Sequence, residues 1–195
     1  MFRISRGLKA VGALGAAAVV DGRRISSTEL NTAVKQWEQA YTAHPLPVDQ
    51  LQLTDQTSVP RSVLSRLVAF KLSTVAAQRQ GVRVSDGQVD NTIAKTGETQ
   101  VRGVAVTMGV PPQRDRDLVR FILEGQGIQA QLQPLLKGTG KSMSVAMNNV
   151  LSSTARSVRV DVNPRYGKFD YRQLGINPNA GRLSYPETPQ LPAQG

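Results

Sequence analysis

The stretch "SVRVDVNP", residues 157–164, alternates apolar and polar side chains. Val158, Val160 and Val162 fall on one face, while Arg159 and Asp161 fall on the other. A period of two is typical of a half-exposed β-strand. A single strand leaves its backbone donors and acceptors unpaired. The stretch therefore predicts a partner strand elsewhere in the chain.

The partner strand is predicted near the start of the chain, in "AAAVVDGRRI", residues 16–25. The run is apolar and ends near Asp21-Gly22, a dipeptide typical of turns. Pairing of these two strands would bring the two ends of the domain together. We therefore expect a mostly α fold, a bundle of about five or six helices closed by a two-stranded sheet from near the two chain ends.

The residues between the two strands show helical periodicity and clear helix boundaries. Ser26 with Glu29, and Ser85 with Gln88, have the spacing of capping boxes. A fifth segment, residues 113–136, contains Gly125 and Gly127, which predict a kink or two shorter helices. The six predicted helices span residues 26–43, 59–80, 85–96, 98–108 and 113–136, and a last one that begins at Ser142.

The two ends of the chain differ in composition from this helical part. Basic residues followed by the apolar run Ala10–Val20 fit a secretory signal with a cleavage site near Ala16–Ala18, or a lead-in to the first strand. The apolar run is too short to span a bilayer. We predict a signal or lead-in at 1–18, a helical domain at 19–170 and a Pro-rich flexible tail at 171–195.

The composition excludes several kinds of catalytic and metal-binding site and indicates the charge of possible partners. The chain of 195 residues has no cysteine, which excludes disulfides, thiolate metal sites and cysteine nucleophiles. His44 is the only histidine, so neither a histidine metal site nor a cofactor is expected. The net charge of +10 favours anionic partners, including nucleic acid and acidic envelope surfaces. Because basic residues alternate with acidic and polar ones, a solvated surface is the favoured interpretation.

Two sets of residues resemble catalytic motifs, but the sequence around each of them does not support a catalytic role. Gly138–Ser142, "GTGKS", matches the end of a phosphate-binding loop, but Leu135 stands where the first glycine is required and the preceding segment is helical. We predict a flexible link with Ser142 as a helix cap. The carboxylate pairs Asp86/Asp90 and Asp115/Asp117 lie at helix starts, where they complement the helix dipole. We therefore predict that the chain is not an enzyme.

Large or flexible apolar side chains are the candidates for a binding surface. Their ordinary role is core packing, and methionine also suits adaptable binding grooves. The sequence alone does not decide between core packing and client binding for these residues. The candidate client-binding residues are Trp37, Tyr41, Met108, Met143 and Met147.

Three stretches together resemble the SurA N-terminal-like chaperone domain family. "AAAVVDGRRISSTEL" is similar to its opening strand, turn and capped helix, and "AAQRQGVRVSDGQVDNTI" to a helix–glycine–helix junction. "VRVDVNPRYGKFD" is similar to the closing motif of an exported bacterial branch. The resemblance covers about residues 16–170. Relatives often add a parvulin prolyl isomerase domain, for which this chain lacks the length and histidines, and a lipobox cysteine, which is also absent.

The resemblance implies a non-catalytic, ATP-independent chaperone or holdase. Its partners would be unfolded or nascent exported polypeptides in the bacterial periplasm or cell envelope. Two alternatives remain open from sequence: a basic helical nucleic-acid-binding protein, and an envelope assembly factor with one dedicated partner.

Overall fold

A computed structural model describes residues 15–178. The strands are β1 (Ala16–Val20), β2 (Arg23–Ser26), β3 (Val160–Val162), β4 (Lys168–Asp170) and β5 (Gly175–Asn177). The helices are α1 (Ser27–Ala43), α2 (Val59–Arg79), α3 (Asp86–Thr96), α4 (Glu98–Thr107), α5 (Asp115–Leu136) and α6 (Met143–Val158), with 3-10 turns at Val48–Gln50 and Pro112–Arg114. The predicted mostly α bundle with terminal strands is confirmed.

Strands from the two ends of the domain pair as the sequence predicts. β1 lies between β2 and β3, and both of its neighbours are antiparallel to it. Asp21 and Gly22, with φ of 50° and 72°, form the tight turn between β1 and β2. Such a turn suits a two-residue hairpin because its twist matches that of the strands. The closing sheet thus has three strands, since residues 16–25 fold into a hairpin rather than one strand.

Asn163 fastens the end of β3 to the start of β1. Its side-chain Nδ2 donates to the carbonyl of Ala16 at 3.1 Å, and its backbone N–H donates to the carbonyl of Ala17 at 2.9 Å. Its Oδ1 accepts from the N–H of Arg165 at 3.1 Å. One side chain therefore closes the turn after β3 and also joins the two ends of the domain.

Helix α2 forms the centre of the molecule. It packs against α1, α5, α6, β1 and β5, and more than half of its residues are buried. Ser58 caps its first turn by accepting from the N–H of Arg61. A helix surrounded on most sides needs apolar residues around most of its circumference. Its predicted stripe is buried throughout: Val63, Leu64, Leu67, Val68, Leu72, Val75 and Ala76.

The predicted capping boxes form to different extents. At α3 both bonds are present, since Ser85 Oγ accepts from the N–H of Gln88 at 3.2 Å and Gln88 Oε1 accepts from the N–H of Ser85 at 2.8 Å. At α1 Ser26 accepts from the N–H of Glu29 at 2.9 Å. The Glu29 carboxylate instead binds Arg114, so a tertiary ion pair replaces the local bond.

Helix α5 is continuous over 22 residues, although its glycines predicted a kink or two pieces. Gly127 faces Val82, and a Cβ at this position would collide with the valine methyl groups. This glycine lets α5 approach the loop after α2 closely. A Cβ at Gly125 would meet no atom within 4 Å, so that glycine has no comparable packing role.

The domain is longer at both ends than the sequence indicated. Ala16, Ala17 and Ala18 are buried in β1, so a boundary after residue 18, or cleavage near Ala16–Ala18, would divide the central strand. At the other end, where the sequence analysis places the tail from residue 171, the described structure continues to residue 178. Strand β5 pairs with β4, and the N–H of Ile176 donates to Ser65 Oγ on α2 at 3.3 Å. The predicted signal or lead-in at 1–14 and the tail at 179–195 lie outside the described residues.

The two glycines of α5 provide a matched test of its packing. Gly127→Ala should destabilise the domain by about 1–3 kcal/mol, because its methyl group would overpack against Val82. Gly125→Ala should stabilise it by about 0.5–1 kcal/mol through helix propensity alone. Urea unfolding of both variants measures the difference. Equal effects of the two substitutions would contradict the packing role of Gly127. Addition of Val82→Ala to Gly127→Ala should restore stability, because it removes the methyl groups that the new Cβ would meet.

Removal of the Asn163 side chain should weaken the closure of the domain. Asn163→Ala leaves the Ala16 carbonyl and the Arg165 N–H without this partner, and the expected loss is about 1–3 kcal/mol. Thermal unfolding measures it. Asn149→Ala, at an exposed position of α6, is the control and should change stability by less than about 0.5 kcal/mol. Similar melting of both variants would show that Asn163 does not carry the closure.

Candidate polypeptide-binding surface

Trp37 and Tyr41 lie in the core and not on a surface. Their exposed fractions are 0% and 3%, and their rings stack with centroids 5.2 Å apart. Trp37 Nε1 donates to the carbonyl of Val106 at 2.8 Å, and Tyr41 Oη donates to the carbonyl of Leu46 at 3.0 Å. Both side chains have complete packing and hydrogen bonding. In this conformation they are not available to a client, so we assign them a structural role.

Met108 ends α4 and is partly buried. It packs against a small cluster formed by Phe70, Ala105, Val110 and Leu118, together with the half-buried Phe121. The carbonyl of Met108 accepts from Arg66 Nε at 2.8 Å, and Arg66 Nη2 reaches the carbonyl of Gln52. Burial lowers the pKa of this guanidinium. Arg66 therefore fixes the backbone of Met108 while the methionine side chain remains partly accessible.

Met143 and Met147 lie on α6 in a different cluster. Together with Ala146, Val150 and Leu151 they pack, half-buried, against a centre formed by Ala76, Ala77, Ile128 and Leu132. These half-buried residues form one apolar face of α6. The structure brings Met143 and Met147 together and leaves Met108 in a separate cluster.

The end of the α5–α6 pair has no buried residue. The buried residues of α5 end at Leu132 and those of α6 begin at Thr154, and every residue from 133 to 153 is half-buried or exposed. We call residues 133–153 the helical hairpin. It nevertheless carries eight apolar residues: Leu135, Leu136, Met143, Val145, Ala146, Met147, Val150 and Leu151.

Sequence reasoning missed the most exposed apolar residues of the helical hairpin. Leu135, in the last turn of α5, is 71% exposed. Val145, which is 53% exposed, lies off the apolar face of α6. The sequence spacing could have identified Val145. It lies two residues after Met143 and two before Met147, so it does not share the helix face of the methionines.

The link Gly138–Ser142 joins two helices, as predicted. The hydroxyl and the N–H of Thr139 both donate to the carbonyl of Leu136, and Ser142 Oγ accepts from the N–H of Val145 at 3.3 Å. A phosphate-binding loop instead follows a strand. The two bonds of Thr139 therefore close the end of α5, and the Ser142 hydroxyl caps α6.

The carboxylates noted in the sequence make ion pairs with arginines of α5 and the turn before it. Arg120 Nη2 lies 2.5 Å from Asp86 Oδ1, and Arg116 also binds Asp90. Arg114 bridges Glu29 at 2.7 Å and Asp117 at 3.2 Å. These carboxylates and arginines neutralise one another, so the arginine cluster 114/116/120 is not a free basic patch for nucleic acid.

Glu124 is a buried carboxyl that the sequence did not single out. It is 4% exposed and faces α2, where Thr74 Oγ1 donates to Oε1 at 2.9 Å. Oε2 meets no donor in hydrogen-bond geometry. Burial raises the pKa of this carboxyl, although Thr74, Ser73 and Arg120 oppose the rise. It lines a cavity of about 170 Å³ between α2 and α5.

Residues 15–178 contain no group of three or more His, Cys, Asp or Glu side chains placed to hold a metal ion. None of the helices in the same range combines the length and the apolar character needed to cross a bilayer.

The fold defines a helical domain whose two ends are joined in one small sheet. The profile of a family described as "SurA-like N-terminal domain" matches residues 3–105, which is more than half of the chain. The chain therefore belongs to the SurA-like N-terminal domain family, as its motifs indicated. Met108, Met143 and Met147 lie beyond the matched residues.

Two curated relatives are proteins named "Chaperone SurA", from Xylella fastidiosa strains Temecula1 and 9a5c. Each is 34% identical over 92 residues, which is 45% of this chain and 18% of the relative. The match thus spans about a fifth of the relatives' length. No solved structure matches the chain.

The buried Glu124 should make stability depend on pH. Its pKa is raised in the folded state above the ordinary value of 4.5, so the folded state binds more protons there than the unfolded state. Stability from this group is present below pH 4.5 and is lost as pH rises through the folded-state pKa. Denaturant unfolding from pH 4 to 7 should therefore show a fall in stability.

The variant Glu124→Gln should reduce this fall, because an amide of similar shape does not ionise. Glu98→Gln, an exposed glutamate, is the control and should retain the wild-type slope. A Glu124→Gln protein with an unchanged slope would rule out this carboxyl as its source.

Proposed function

We propose that this chain is a non-catalytic, ATP-independent chaperone domain that binds unfolded exported polypeptides in the bacterial cell envelope. One observation carries the proposal: the methionine face of the helical hairpin, formed by Met143 and Met147 with their apolar neighbours on α6, packs on α2 and α5 but stays half-exposed. Membership of the SurA-like family and the name of the relatives support a chaperone role.

The chemistry of this face suits clients of varied sequence. Methionine side chains are flexible and polarisable, so Met143 and Met147 can adapt to different apolar side chains. Burial of client apolar surface contributes about 25 cal/mol per Å² before entropic costs are subtracted. Binding by a few such side chains is weak enough to release a client without a nucleotide cycle.

The net charge of +10 supports the same class of partner. A positive surface accelerates encounter with acidic polypeptides, and salt weakens that effect. We include Met108 in the proposed surface as a second, separate contact, since its side chain is partly accessible beside Phe121. Location in the cell envelope is part of the proposal, and it is supported by the family resemblance.

The proposal assigns no prolyl isomerase activity to this chain. A parvulin domain in relatives commonly lies between the first helices and a final helix, and here a short link joins α5 to α6 at this place. A prolyl isomerisation assay tests the assignment. Acceleration above the uncatalysed rate that depends on protein concentration would contradict it.

The double variant Met143→Gln/Met147→Gln should lose the ability to suppress aggregation of an unfolded exported protein. Glutamine has a similar length, and both positions are only half-buried, so the fold should remain. Light scattering at a stoichiometric ratio measures suppression. Asn149→Gln, on the exposed side of α6, is the matched control and should behave as wild type.

The outcomes of this experiment distinguish the chaperone activity itself from the choice of the methionine face as the client-binding surface. Met108→Gln should weaken suppression less, because a single side chain changes. No suppression by the wild-type chain would overturn the chaperone proposal. Full suppression by a folded Met143→Gln/Met147→Gln variant would leave the chaperone role and remove the helical hairpin as the client surface.

A further inference from the structure

We propose that the free end of the helical hairpin docks on an anionic phospholipid surface, with Leu135 and Val145 entering the interface and Lys137 and Lys141 binding lipid phosphates. This end comprises the last turn of α5, the link and the first turn of α6. The proposal goes beyond polypeptide binding, since it uses side chains that lie off the methionine face.

The two apolar side chains are exposed without belonging to a cluster. Leu135 and Val145 are among the most exposed large apolar residues of the described chain, and neither packs into any of its hydrophobic clusters. They lie on either side of one short link. Adjacent exposed apolar residues of this kind are typical of contact sites.

The charges around these residues have one sign. Lys137 and Lys141 are exposed, and neither makes an ion pair with an acidic residue of the described range 15–178. The sequence contains no Asp or Glu between Glu124 and Asp161. The N-terminus of α6 adds the positive end of a helix dipole beside Lys141. Apolar residues next to lysines, with no nearby acid, form the pattern of segments that lie in an anionic membrane interface.

The shape of this end favours a lipid surface over an acidic polypeptide. A polypeptide binds best in a groove, where both sides of it are covered. The free end is instead a convex turn between two helices, beyond the last buried residues Leu132 and Thr154. The described cavities are lined by other parts of the chain, between α2 and α5, beside α1 and beside β4. A projecting turn can enter a planar interface directly.

Vesicle flotation of the full chain tests the charge component. We expect binding to vesicles made of equal parts phosphatidylglycerol and phosphatidylcholine, and no binding to phosphatidylcholine alone. Lys137→Gln/Lys141→Gln should lower the partition coefficient by about 30-fold, from about 1 kcal/mol per lysine near the surface. The matched control, Lys35→Gln/Lys95→Gln, removes exposed lysines of α1 and α3 and should lower it much less.

Tryptophan fluorescence tests whether the free end of the hairpin inserts into the lipid interface. Trp37 is the only tryptophan and is buried, so Leu135→Trp adds a probe at the free end. Its emission should shift to the blue with the anionic vesicles, and brominated lipid should quench it. Thermal unfolding verifies that each variant is folded.

Three results would overturn the proposal. The wild-type chain could fail to bind anionic vesicles, or the two lysine double variants could lose binding equally. A shift of Leu135→Trp emission with polyglutamate but not with vesicles would assign the site to an acidic polypeptide. Because vesicle binding is measured without a client, its failure would leave the chaperone proposal intact.

Discussion

The pairing of β1 with β3 is the contact on which the rest of the structure depends. It joins residues about 140 positions apart, so the chain bears a large loop-closure entropy before the pairing forms. Asn163 adds side-chain and backbone bonds to Ala16 and Ala17 at the same place. The closed sheet packs against α2, which is covered in turn by α1, α5 and α6. The helices that pack on α2 are therefore held against the sheet that joins the chain ends.

The helical hairpin lies outside the fully buried core, with its methionine face packed on α2 and α5 and its free end exposed. The core is complete at Leu132 and Thr154, and residues beyond these points contribute few buried contacts. Apolar residues at such positions contribute little to folding and expose surface that favours association. Their presence in a segment without acidic residues is explained by a binding role more readily than by stability.

The parts of the fold that local signals specify could be predicted from the sequence. Helix caps at Ser26 and Ser85, and the strand at 160–162, depend on neighbouring residues alone. The predicted strand was too long at its start, because Val158 ends α6. The exposure of an apolar residue depends on what packs against it, so Trp37 and Leu135 could not be placed. Strand β5 was missed because a three-residue strand between turns has no periodicity, and Ile176 is buried through its tertiary contact with α2.

Helix α5 connects the body of the domain to the proposed binding surfaces. Its first half is fixed by the ion pairs of Arg116 and Arg120, and its middle by Gly127 against Val82. Its last turn belongs to the helical hairpin and is held mainly by α6. Because a helix transmits orientation along its length, the contacts of the first half determine the direction in which the free end projects. Changes at Glu124 or Gly127 should therefore alter both stability and the presentation of the methionine face, whereas changes at Leu135 or Lys137 should alter binding alone.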